Sequence, residues 1–162
     1  MPALETLEVD VLIDAPPHIV WSMVGDVRRL PEWSPQVRET TLLDGAVHLE
    51  VGVRFVNHNE SGPLAWTTHG EIVHFEPCRA MAFRLDENWL VWSFTLEETP
   101  GPGTRLVQRR EAPDGISDHA HGLTQKYMGG TEAFTRTMRA GMRQTLQGIK
   151  AACEQGAPAH ER

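Results

Sequence analysis

Long apolar runs are the first thing this sequence lacks. No stretch approaches the roughly 20 residues a membrane helix needs, so stable insertion into a bilayer is not expected. The opening residues, MPALETLEVDVLIDAPP, have neither the basic start nor the apolar core of a signal peptide. Basic residues are also scarce. Fifteen Lys and Arg against 22 Asp and Glu leave a formal charge of −7, with a pI near 5.6. The cations do not cluster beyond the pairs Arg28-Arg29 and Arg109-Arg110. A nucleic-acid surface needs a basic stripe, and an anionic membrane surface needs the same, so neither partner is expected. Two cysteines, Cys78 and Cys153, stand far apart without metal-ligand spacing and read as free thiols. His119-Ala-His121 cannot present both rings on one helical face and has no third ligand near it, so no metal site is expected. P-loop, dinucleotide-fold, nucleophile-elbow and paired-cysteine signatures are absent, and no cofactor is implied. The chain reads as cytoplasmic. Nothing in it separates a monomer from a homodimer.

What is present is a chain of 162 residues, enough for one domain with a sizeable core or a core that encloses a cavity. That domain is expected to occupy residues 1–155, with 156–162 as a flexible tail. Residues 5–14 alternate, with Leu7, Val9, Val11 and Ile13 facing one way, the pattern of a half-buried strand. Pro16 and Pro17 stop the strand and suit the first turn of a helix. Ile19, Val20, Met23 and Val24 carry that helix to Gly25. A second short helical turn fits between Arg28 and Trp33, bracketed by Pro31 and Pro35. Strand patterns follow at 36–44, 52–59, 66–75, 80–85, 89–98 and 104–111, most of them joined by short turn signals. The later ones form an antiparallel meander.

The period then changes. Leu123, Tyr127, Phe134, Met138, Met142, Leu146, Ile149 and Cys153 fall mostly three, four or seven apart, as one face of a helix does. Gly129-Gly130 divides the segment or hinges it, and the main helix should run about 24 residues, about 36 Å. The layout is α+β. A seven-stranded sheet is wider than one helix about 10 Å across, so space is expected between the two layers.

The order of elements, the Ile13-Asp-Ala-Pro-Pro17 junction with Val20-Trp21, and Trp33-Ser-Pro35 resemble the START-like helix-grip superfamily. More narrowly, the chain resembles its bacterial polyketide cyclase/dehydrase branch. Gly52-Val-Arg-Phe55 with Asn57 and Asn59, Trp66-Thr-Thr68, Gly103-Thr-Arg105, and Gly141-Met142 with Thr145-Leu146 fit the same pattern. The likeness covers residues 5–154. It implies a seven-stranded antiparallel sheet wrapped around a long C-terminal helix, two short helices after strand 1, and a deep apolar pocket. That superfamily holds lipid carriers, receptors, cyclases and co-chaperones, so fold does not fix function.

The expected apolar wall comprises Trp33, Phe55, Trp66, Phe83, Trp92, Phe94, Phe134 and Met138, with Trp33 at the pocket mouth or plugging the core beneath its turn. Polar contacts are expected from Asn57, Gln108 and Arg110. Alternation places Gln108 and Arg110 on the face of Leu106, and an apolar wall with a few polar groups suits a small hydrophobic molecule: a polyketide, a lipid or an aromatic metabolite. Alternation does not decide whether Trp66, Thr68 and His74, or Thr67, His69 and Glu71, face inward. If the pocket is catalytic, His69 or Arg110 would transfer protons or stabilise an enolate, His69 supported by Glu71 unless the two form a surface pair. A third reading is an interaction module of the co-chaperone type, which would have a filled interior and an exposed apolar patch.

Overall fold

The alternation of Leu7, Val9 and Ile13 becomes the inner face of β1 (Leu7–Ile13), where all three side chains are buried and Glu8, Asp10 and Leu12 are exposed. The computed structural model describes residues 6–115, 117 and 130–156. Pro16 caps α1 (Pro17–Val24) with extended backbone, and Pro17 occupies its first turn, where a missing N–H costs nothing. A 3₁₀ turn (Val27–Arg29) and the four-residue α2 (Leu30–Trp33) follow. The Asp26 side chain starts the 3₁₀ turn by accepting the Arg28 backbone N–H at 2.9 Å.

Six further strands complete the sheet: β2 (Val37–Leu42), β3 (Arg54–Ser61), β4 (Leu64–Glu76), β5 (Ala80–Leu85), β6 (Val91–Glu98) and β7 (Thr104–Glu111). Every neighbouring pair is antiparallel, in the order β1-β7-β6-β5-β4-β3-β2. Chain neighbours therefore lie side by side from β2 to β7, and β1 closes onto the far edge of β7. The last described element, α3 (Gly130–Gly156), has 27 residues and packs over β1 and α1. Its stripe of Met142, Leu146, Ile149 and Cys153 is buried, spaced as the sequence led us to expect. This is the α+β helix-grip arrangement. Among the described residues no helix is long and apolar enough to cross a membrane.

Two features steer side chains toward the interior. A β-bulge between Ile72 and His74 shifts the alternation of β4, leaving Val73 and His74 exposed and turning Phe75 toward the core. His74 is thereby separated from Trp66 and Thr68, whose face it would share in an unbroken strand. Phe75 meets Trp21 edge-on, with ring centroids 5.3 Å apart. The second feature ties down the far end of α3. Lys150 Nζ donates to the Leu12 carbonyl at 2.8 Å, and the Glu154 carboxylate accepts the Asp14 N–H at 2.8 Å.

Both cysteines are free thiols, Cys78 half-buried and Cys153 buried. Burial pushes the Cys153 thiol from 9.0 up to about 11. The folded state disfavours the thiolate, so the associated stability is intact below pH 9.0 and is lost as pH rises toward about 11. A thiol reagent at pH 8 should modify Cys78 in the native protein and reach Cys153 only after denaturant is added. Equal native rates for the two would contradict this burial.

Candidate functional site

Between the inner face of the sheet and the first half of α3 lies a cavity of about 460 Å³. Strand alternation builds its wall. Asn57 and Asn59 enter from β3, Trp66 and Thr68 from β4, Phe83 and Leu85 from β5, Trp92 and Phe94 from β6, and Gln108 from β7. Met138, Gly141, Met142 and Thr145 of α3 face it from the other side. The turn after α2 supplies Ser34, Pro35 and Gln36, and the β5–β6 turn supplies Glu87 and Asn88. Pro35, Ala65, Thr67 and Thr137 line it while exposed to solvent, which marks the mouth.

The polar part of this wall is uneven. Thr40 Oγ1 donates to Asn57 Oδ1 at 2.7 Å. Asn59 Nδ2 donates to Thr68 Oγ1 at 3.2 Å and to the Trp66 carbonyl at 3.3 Å. Thr145 Oγ1 returns its hydrogen to the Gly141 carbonyl, one turn back, at 2.9 Å. Gln108, opposite Phe94 in the ladder, is 6% exposed, and its Oε1 has no hydrogen-bond partner.

Of the residues expected at the site, Asn57, Trp66, Phe83, Trp92, Phe94, Gln108 and Met138 converge on the cavity. Phe55, Trp33, Arg110 and His69 stand elsewhere. Phe55 is fully buried and packs edge-on against Phe83, centroids 5.3 Å apart, so it backs the wall. Trp33 packs half-buried against the core, and the Arg29 guanidinium lies 5.4 Å from its ring. Its neighbours Leu30, Ser34 and Pro35 form the rim instead, because a single helical turn cannot aim all its side chains one way. Arg110 shares the inner face with Leu106 and Gln108 and is 0% exposed, but it is not among the lining residues. Phe134 lies on α3, its side chain outside the described residues, as are His119, His121, Tyr127 and Gly129.

His69 is on the outer face of β4, since Thr68 and Gly70 are the inward-facing neighbours. It does not pair with Glu71, which bonds Arg54 at 3.2 Å. Its partner is Glu87, across the β4–β5 edge. The His69 backbone N–H donates to Glu87 Oε1 at 2.7 Å, and Nδ1 lies 2.5 Å from Oε2. Ser117 Oγ donates to the Glu87 carbonyl at 2.5 Å, so the turn carrying Glu87 is held from two sides.

Sequence reasoning passed over Asn59 and Thr145 as pocket groups, and left open whether the face carrying Trp66 and Thr68 points inward, as it does. Alternation with Asn57 would have found Asn59. Glu87 sits in a turn, where no periodicity announces it.

The sequence pattern of the family described as polyketide cyclase / dehydrase and lipid transport matches residues 5–154. Solved structures share the fold. The solution structure of a polyketide-cyclase-like protein from Corynebacterium glutamicum is 24% identical, with a TM-score of 0.62 over 97% of this chain and 96% of that one. A di-domain ARO/CYC, StfQ of the steffimycin biosynthetic pathway, is 17% identical, with a TM-score of 0.73. The alignment covers 94% of this chain and 51% of StfQ, one half of its length. A Thermus thermophilus protein, TTHA0849, gives 13% identity and a TM-score of 0.71 over 94% of this chain and 99% of its own. No curated protein matches the sequence.

Proposed function

We propose, from the premise that this chain belongs to the polyketide cyclase / dehydrase and lipid transport family, that it binds a small hydrophobic molecule in the cavity beneath α3. The observation that carries this reading is the cavity's combination of size and lining. About 460 Å³ falls within the 300–1,000 Å³ typical of small-molecule sites. Four aromatic rings and two methionines line it beside a few amides and hydroxyls. Aromatic faces favour a flat or unsaturated ligand, and methionines adapt to its outline.

Denaturing the purified protein and analysing the organic extract by mass spectrometry tests the proposal, alongside calorimetric titration with naphthalene-class compounds. A stoichiometric hydrophobic mass, or saturable one-to-one binding, is the expected result. An empty extract together with no saturable binding would sink it.

A second reading, a cyclase, aromatase or dehydrase working in the same cavity, has one observation in its favour. Glu87 lines the cavity and its carboxylate holds His69 on the outer face, so one member of an acid–base pair touches the cavity. StfQ is a member of this fold that is named an ARO/CYC. Turnover of a poly-β-ketone that falls on Glu87→Gln, with binding retained, would separate catalyst from carrier. The co-chaperone reading has less support, because the interior is open and, among the described residues, the exposed large apolar side chains are Leu12, Val47, Val51 and Val73.

A further inference from the structure

Most polar groups in the cavity wall are already committed to one another. Asn57 is engaged by Thr40, and Asn59 by Thr68 and the Trp66 carbonyl. Gln108 breaks the pattern. It sits in the interior of β7, 94% removed from solvent, and its Oε1 is buried without a hydrogen-bond partner. A buried acceptor without a partner costs about 1–3 kcal/mol, so such a group on a cavity-lining residue points to a ligand that completes it. The missing partner is a donor. A hydroxyl both donates and accepts, and so meets a carboxamide in either orientation of its O and N.

Charge narrows the class further. Among the described lining residues Glu87 is the one ionisable side chain, so an anionic group meets a carboxylate there, whereas Arg110, two residues along the face of Gln108, is fully buried and is not a lining residue. Phe94 is the cross-strand partner of Gln108, and Trp92 lies on the same face of the adjacent strand, placing aromatic surface beside the amide.

Resting on the cavity-binding reading above, we propose that Gln108 selects for a neutral aromatic ligand bearing a hydroxyl, a phenol or an enol, which donates to the Gln108 carboxamide. Gln108 lines the cavity with its Oε1 turned into the wall, so the end of the amide turns to present its oxygen when the hydroxyl arrives.

The test compares three probes of nearly equal size by calorimetric titration at neutral pH: 2-naphthol, 2-methoxynaphthalene and 2-naphthoate. The native protein should bind the naphthol about tenfold more tightly than the methyl ether, about 1.4 kcal/mol, and the naphthoate weakest. Gln108→Met keeps the side-chain length and removes the amide. It should bring the naphthol-to-ether ratio to about one, with an unchanged Tm reporting the intact fold. Equal affinities for naphthol and ether in the native protein would overturn the proposal without any variant being made. So would a preference for the naphthoate, or a naphthol preference that survives Gln108→Met. If none of the three binds the native protein this proposal fails, and if the organic extract is empty as well the cavity reading fails with it, an outcome distinct from equal binding.

Discussion

Gly141→Phe should weaken ligand binding by roughly 100-fold or more, about 2.8 kcal/mol, in a protein that melts no lower than the native one. Gly141 lies inside α3 and lines the cavity, where an added Cβ would have Pro35 Cγ as its one neighbour within 4 Å, at 3.7 Å. Pro35 also lines the cavity, so helix and rim meet here. An aromatic ring on that Cβ must turn past Pro35 and take up cavity space. Glycine within a helix is about 0.5 kcal/mol worse than phenylalanine, so the substitution favours the helix while closing the cavity. Gly148→Phe is the control: it lies two turns further along α3, has open space around its Cβ and does not line the cavity. It should leave binding within about twofold of native. If both variants bind normally, α3 does not cover the binding site.

Gly70→Ala carries the largest expected loss of stability. Gly70 pairs directly with Phe55 across the β3–β4 ladder, and an added Cβ would stand 2.4 Å from the Phe55 ring. Real carbon atoms do not approach so closely. The ring cannot retreat, because Phe55 is 0% exposed and packed against Phe83. Overpacking of this kind costs about 2–3 kcal/mol, a fall of roughly 4–12 °C in Tm for a chain of this size. Phe55→Leu in the Gly70→Ala background should recover part of that loss, giving a coupling energy of about 1 kcal/mol or more in a double-mutant cycle. Thermal unfolding followed by circular dichroism measures all three variants. Strict additivity would mean that the glycine is kept for some reason other than the ring.

The elements that recur with a period were legible in the sequence. β1, the meander and the buried stripe of α3 all follow from alternation or from three- and four-residue spacing, and these place most of the cavity wall. Alternation also set Gln108 and Arg110 on one face, although only Gln108 reaches the lining. What stayed hidden depends on contacts between distant residues. The bulge after Ile72 reverses the facing of the end of β4, and nothing in the residue types around Val73 marks it. His69 and Glu71 stand two apart and suggest a pair, yet the antiparallel ladder brings Arg54 to Glu71 and the β5–β6 turn brings Glu87 to His69. Trp33 shows the same limit: a proline-bracketed turn locates the rim but not the direction of the indole.

The attachment of α3 has a mechanical consequence. Its fixed point is near Lys150 and Glu154, bound to the end of β1, whereas the cavity lies under Met138 to Thr145. The polar ties of the helix thus lie at one end and the cavity beneath the other arm, which rests on α1 and α2 by packing. From Glu154 to Met138 the arm is about 24 Å, so a tilt of about 10° at the tied end would carry Met138 through about 4 Å. Displacement would grow along the arm, so such a tilt would widen the cavity by about the thickness of an aromatic ring and move Ile149 and Cys153 least.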